Sequence, residues 1–286
     1  MSIVVLDLEW NGAYCKKVNG YFNEIIEIGA VRLADDLTVA ERFDAVIRPR
    51  VSRKLTHWVT DLTGYTDEQV KAGISFLDAM ERLQRFIGEG GATLLTWSTT
   101  DLLVLMENCR YYYGDERIPS VTGYLDLQAY AQTRLELGTK QQIGLAKFAE
   151  LLGMNSDDLA LHHAIDDSVL SAAILRRVYH RPSFEAAVRS LDDEFYRRLT
   201  FKPTIVKELN DPAVDRKKFV FTCPDCGKRL KETGKWRFFH NQFNSTLQCG
   251  VCNTLYHGRV QVRLTYDGPV TKRRLAPKKE KQPEEA

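Results

Sequence analysis

Val4-Val5-Leu6-Asp7-Leu8-Glu9-Trp10 decides how the rest of this chain is read. The run is short, apolar and rich in β-branched residues, which predicts a buried strand ending in two carboxylates. Side chains two apart on a strand share a face, so Asp7 and Glu9 are expected to point the same way. Carboxylates held that close repel one another, and a divalent cation between them relieves the repulsion. Solvated acids at the end of a strand give the same pattern, and Asp-x-Glu alone does not separate the two readings.

Outward from this stretch, Trp10 to Asn23 reads as polar and irregular, Ile25 to Leu33 as a second strand, and Glu41 to Arg48 as a third, closed by Pro49. With a turn at Asp35-Asp36, these three strands predict an antiparallel meander. Glu27, inside the second apolar run, is expected to face solvent or pair locally, outside the site. Residues 54–71 predict short helical pieces around Gly64. Ser75 then caps a helix whose apolar residues recur at helical spacing until Gly88. Thr93 to Trp97 is strand-like, and Ser98, Thr99 and Thr100 can cap a helix starting near Asp101. A strand at Tyr124 to Leu127, a helix through Arg134, and helices at about 141–152 and 164–180 complete an α/β pattern, a mixed sheet flanked by helices.

The charge is divided along the chain. Residues 216–286 carry 16 Lys/Arg against 6 Asp/Glu, whereas residues 1–215 carry 24 against 32. A basic C-terminal part attracts polyanions; an acidic body repels them except where cations neutralise it. No apolar run is long enough to cross a bilayer and no signal-peptide pattern follows Met1, so a cytoplasmic location is expected.

Asp101, at the start of its helix, is by itself an ordinary first-turn acid. The stretch His162-His163-Ala164-Ile165-Asp166-Asp167-Ser168 changes its meaning. Together with Asp7-x-Glu9 it resembles the DEDDh family of 3′-5′ exonucleases, which has a ribonuclease-H-like fold. That family has Asp-x-Glu on its first strand, an Asp opening a later helix, and a His five residues before the last Asp. Only His162 with Asp167 keeps that spacing. The resemblance covers about residues 3–180, including Ile25 to Val31, Leu62-Thr63-Gly64, Leu125-Asp126-Leu127 and Gly144 to Phe148.

The resemblance implies that Asp7, Glu9, Asp101 and Asp167 hold two Mg²⁺ or Mn²⁺ ions and that His162 is the general base. Hard oxygen donors suit Mg²⁺, and the unperturbed pKa of histidine near neutrality suits proton acceptance. Trp10, Leu62 and Thr63 are the implied contacts of the terminal nucleotide, with Trp10 replacing the small hydroxyl residue usual after the first motif. His163 and Asp166 are expected to be neighbours without a chemical role.

Cys223-x-x-Cys226 and Cys249-x-x-Cys252 have the form of two zinc knuckles, and four thiolates close a tetrahedral shell around one structural Zn²⁺. Cys15 and Cys109, unpaired in sequence, read as core thiols. Between the knuckles, Lys228, Arg229, Lys231, Lys235, Trp236, Arg237, Phe238, Phe239, His240 and Phe243 interleave cations with aromatics. Such a mixture suits a single-stranded nucleic acid, although the aromatics also supply a small core, and a protein-docking ribbon has the same composition.

The expected organisation is therefore an exonuclease domain over residues 1–182, one further helix within 183–200 and a linker to 217, a four-cysteine zinc ribbon at 218–266, and a disordered Lys/Pro/Glu-rich tail at 267–286. The expected activity is release of nucleoside 5′-monophosphates from single-stranded nucleic acid. Trp97, Asn108 and Cys109 resemble the RNA-trimming branch, which favours RNA. A DNA exonuclease of repair or proofreading and an inert nucleic-acid- or protein-binding scaffold are the competing readings.

Overall fold

The computed structural model describes residues 2–138, 141–154 and 163–278, which divide into two compact units, up to Tyr196 and from Arg197 onward.

In the first unit β1 (Ser2–Cys15) is the axis. It pairs antiparallel with β2 (Gly20–Leu33), which pairs antiparallel with β3 (Val39–Val46). The meander is present, but its first two strands are longer than expected. The polar stretch after Trp10 stays in the ladder, with Gly12 opposite Asn23 and Tyr14 opposite Tyr21. Backbone pairing tolerates polar side chains wherever their polar atoms are satisfied. Asn11, fully buried, donates to the Lys54 carbonyl at 3.1 Å and accepts from the Thr56 N–H at 2.9 Å. A bulge follows Glu9: Glu9 faces Glu27 and Trp10 faces Ile25, leaving Ile26 as the extra residue.

Three helices follow, α1 (His57–Thr63), α2 (Asp67–Ala72) and α3 (Phe76–Ile87), the last capped by Ser75, whose hydroxyl accepts from the Asp78 N–H. The completely buried β4 (Ala92–Thr96) lies parallel to β1, and α4 (Thr99–Tyr113) leaves its end. Parallel to β4 runs β5 (Val121–Asp126), followed by α5 (Leu127–Arg134), α6 (Leu145–Leu151) and α7 (Ala164–Val178). The core gathers Val5, Val31, Leu95, Trp97, Phe148, Leu170 and Ile174 between sheet and helices.

The single helix expected within 183–200 is instead two. α8 (Arg181–Ala187) stops before Val188, the two-residue β6 (Arg189–Ser190) joins β5 antiparallel, and α9 (Asp193–Thr200) follows. The break lets Arg189 and Ser190 pair with Tyr124 and Gly123 at the edge of β5, which a continuous helix would not cover. The strand order is β3-β2-β1-β4-β5-β6.

In the second unit the expected linker is partly built into the module: β7 (Thr204–Ile205) pairs with a later strand, Val206 is a core residue, and Leu209 and Val214 pack against that core. β8 (Lys231–Glu232), β9 (Arg237–Phe239), β10 (Gln242–Gln248), β11 (Leu255–Thr265) and β12 (Gly268–Pro277) form an antiparallel sheet. β12 lies where a disordered tail was expected. Few of its side chains are apolar, but all ten of its residues are in register with β11 from Thr265↔Gly268 to Tyr256↔Pro277, so ladder hydrogen bonds replace the missing burial. Its exposed cations suit an edge strand. Residues 279–286, the rest of that expected tail, lie outside the described residues.

Candidate active site

Three elements bring acids together. The middle of β1 carries Asp7 and Glu9, the first turn of α4 carries Asp101, and the first turn of α7 carries Asp167. Carboxylate oxygens of Asp7, Glu9 and Asp167 all lie within 4.8 Å of one another. Asp101 is 5% exposed, and its charge is, after burial, the largest influence raising the pKa of Asp7.

Local structure aims each group. Ser98 caps α4 from a left-handed backbone conformation (φ 88°) that costs a non-glycine residue about 1–3 kcal/mol. Its carbonyl accepts hydrogen bonds from the Thr96 hydroxyl and from the Tyr124 hydroxyl at 3.1 Å, which hold the turn in place ahead of Asp101. The Asp101 and Leu8 N–H groups donate to the Asp101 carboxylate.

α7 is seated by backbone contact. A Cβ on Gly29 would fall 2.1 Å from the Ala164 carbonyl carbon and the Ile165 nitrogen, so only glycine lets the first turn of α7 lie against β2. The Ser168 hydroxyl donates to the Gly29 carbonyl at 3.0 Å. Asp167 is delivered to Asp7 and Glu9 by this seat.

The electrostatics follow from crowding. Burial, then Asp101, Asp167, Glu9 and Glu27, push Asp7 well above the usual carboxylate range. Burial, then Glu27, Asp167 and Asp101, push Glu9 up to about 8, and burial pushes Asp101 up to about 7 against its backbone donors. Buried oxygens that repel one another are the donor set a hard divalent cation stabilises, so these residues fit the ions the sequence implies.

Glu27 was expected to face solvent or pair locally, and the structure corrects this. It is 1% exposed and opposite Glu9, and its pKa is raised by burial to about 7. The Ala164 N–H and the Tyr65 hydroxyl oppose that shift, while Oε2 makes no hydrogen bond. Its neighbour His163 places Nδ1 3.8 Å from Oε1 and stacks edge-on against Tyr65. The signal in sequence was a charged residue amid unbroken apolar ones, two residues before the glycine that seats α7.

His162 lies outside the described residues. Trp10 and Leu62 are half-buried, and Thr63 is buried with its hydroxyl donating to the Val59 carbonyl at 2.8 Å and accepting from the Tyr65 N–H. Thr63 therefore fixes the turn after α1.

In the second unit, sulfur atoms of Cys223, Cys226, Cys249 and Cys252 also lie within 4.8 Å of one another. The Tyr256 hydroxyl, which donates to Asp225 at 2.7 Å, lies 3.4 Å from the Cys223 sulfur and holds that thiol down to about 7. Backbone N–H groups of Cys252 and Val251 lower Cys249, whereas the neighbouring sulfurs push Cys252 up to about 12. Four converging sulfurs with backbone donors fit a structural zinc site. Cys15 and Cys109 are buried elsewhere.

The probable 3′-5′ exonuclease KapD of Bacillus subtilis (strain 168) is 29% identical over 180 residues, 62% of this chain and 84% of KapD. Among solved structures, the rAMP-bound nuclease domain of 3′hExo, a DEDDh family member, superposes with a TM-score of 0.55 at 22% identity, covering 67% of this chain and 96% of that domain. The cell-death related nuclease 4 gives 0.51 at 18% identity, covering 70% and 72%. The exonuclease (RNase T) family profile matches residues 4–175, the span that carries Asp7, Glu9, Glu27, Asp101 and Asp167. The chain belongs to the exonuclease (RNase T) family and is a 3′-5′ exonuclease.

Proposed function

We propose that the protein trims single-stranded RNA one nucleotide at a time from the 3′ end, releasing nucleoside 5′-monophosphates. The observation that carries this reading is the convergence of Asp7, Glu9 and Asp167 with Asp101 beside them. These four would hold two Mg²⁺ or Mn²⁺ ions, which when bound neutralise charge on the attacking and leaving oxygens of the scissile phosphodiester.

The chain's own contribution is positioning. Asp7, influenced by every other acid of the cluster, would be the central ligand of bound ions. His162 takes the proton of the attacking water, and Trp10 and Leu62 contact the terminal nucleotide, with Thr63 holding the turn between α1 and α2. The RNA preference extends the likeness of Trp97, Asn108 and Cys109 to the RNA-trimming branch. Cys223, Cys226, Cys249 and Cys252 hold one Zn²⁺, and the second unit grips substrate.

The test is digestion of 5′-labelled single-stranded RNA and DNA of one sequence with Mg²⁺, Mn²⁺ or chelator. Shortening from the 3′ end, faster on RNA and abolished by chelator, is expected. Asp7→Asn should cost at least ~100-fold in rate, the scale of losing one charge-stabilising group. Faster digestion of DNA would favour the repair or proofreading reading. Undiminished activity of Asp7→Asn would reject the site.

A further inference from the structure

The second unit has a cationic face that the spacing of the cysteines does not reveal. Arg259 on β11 stands opposite Arg274 on β12 and Asn244 on β10, and Asn244 stands opposite Arg237 on β9. One row of side chains therefore crosses four strands. Residues two apart share a face, so Gln261 and Arg263 continue it along β11 and Lys272 along β12. Arg237, Arg259, Arg263, Lys272 and Arg274 are all exposed, whereas the alternate residues Tyr256, Val260 and Val262 are at most 2% exposed in the core.

β12 sorts its three consecutive cations by this alternation. Lys272 and Arg274 stand on the open face, while Arg273 donates to the Val220 carbonyl at 2.9 Å and lies over the Phe221 ring. Between Thr233 and Lys279 the sequence holds a single carboxylate, Asp267, which is taken by Arg198 at 2.8 Å. Among the described residues none of the five open-face cations has an ion pair. Arg259 and Lys278, after burial, depress the pKa of His257 on the same face, as expected in a positive field.

We infer that the exposed cations of this face, on β9, β11 and β12, bind the phosphate backbone of a single-stranded polynucleotide. The inference deepens the proposed grip on substrate and rests on that reading. It extends the contact from the segment between the zinc knuckles, which supplies Arg237 and Phe239, to the cations of β11 and β12. The charge is that of a polyanion site with no internal neutralisation. Phe239, opposite Gln242 at the edge of the sheet and 46% exposed, offers a ring to an unstacked base, which a duplex does not present.

The test is binding of a fluorescent 20-nucleotide single strand to the full chain without added Mg²⁺ over a salt series. R259Q/R263Q/R274Q should weaken binding on the order of 10- to 100-fold at ~0.1 M salt and reduce the slope of log K against log salt by about 2. R259K/R263K/R274K should keep the slope. If the triple variant loses zinc or its near-ultraviolet signal, R274Q alone on the edge strand should reduce the slope by about 0.7. An unchanged slope, an equal loss from K228Q/R229Q/K231Q, or tighter binding of polyglutamate than of RNA would each overturn the assignment. Wild-type protein that hydrolyses no oligonucleotide with Mg²⁺ would instead count against the enzymatic reading, leaving the binding result to stand or fall separately.

Discussion

Glu27 stands directly opposite Glu9 across the β1 and β2 pair, and its Oε2 makes no hydrogen bond. After burial, Glu27 is the largest influence on Glu9, which is pushed up to about 8. A second buried acid thus keeps part of the cluster protonated near neutral pH until a cation offsets the repulsion.

Glu27→Gln removes that repulsion at nearly constant shape. The acid limb of the pH dependence of kcat/KM, measured at fixed Mn²⁺, should move down by roughly half to one unit. A limb that stays in place would show that Glu9 does not sense Glu27.

Stability should also depend on pH. Asp7, Glu9, Glu27 and Asp101 all have folded pKa values above those of ordinary carboxylates, so the folded state binds more protons than the unfolded chain. Their contribution is fully present below about pH 4 and is lost as pH rises towards about 8. Without divalent ions the first unit should therefore lose stability between those limits, by on the order of a few kcal/mol after screening. Mg²⁺ should raise the melting temperature more at pH 8 than at pH 5. Calorimetry with and without chelator checks both, and a metal effect equal at the two pH values would contradict the argument.

The seat of α7 makes a steric prediction. Gly29→Ala places a methyl inside the backbone of Ala164 and Ile165, so β2 and α7 must separate. A loss of at least about 1–3 kcal/mol is expected from overpacking, with activity falling further because Asp167 moves with the helix. Ser168→Ala, which removes only the bond to the Gly29 carbonyl, should cost about 0.5–1.5 kcal/mol. Urea denaturation beside steady-state rates separates the two variants, and a fully active Gly29→Ala enzyme would refute the seating role.

Zinc should govern only the second unit. Its sheet packs a small core around Phe219, Trp236, Phe243 and Tyr256. Binding of the ion contributes on the order of 10 kcal/mol in comparable small modules. Removal by a strong chelator, or Cys249→Ser, should abolish the near-ultraviolet signal of Trp236. Restoring Mg²⁺ alone should not recover it. Retention of that signal at zero zinc content would show that the module folds without the metal.

Much of this was legible in sequence because the physics is local. Asp7 and Glu9 share a face by strand alternation, Ser75 and Ser98 mark helix starts by their capping chemistry, and the doubled Cys-x-x-Cys announces its donor set. Residues with non-local partners were not legible. Glu24, three residues before Glu27 in the same strand, accepts from the Arg50, Val51 and Ser52 N–H groups and from the Tyr112 hydroxyl. Glu27 has no comparable set, and nothing in the spacing distinguishes the two.

The sequence by itself determined which residue types are present, the alternation that turns Arg259 and Arg263 to one side, and the order of the acidic motifs. Tertiary structure decided that Asp101 and Asp167 reach Asp7, that Glu27 joins them, and that residues 268–277 become a strand. Burial, electrostatic repulsion and strand pairing depend on groups brought close by folding, and their strength is set by distances in space that positions along a chain do not specify.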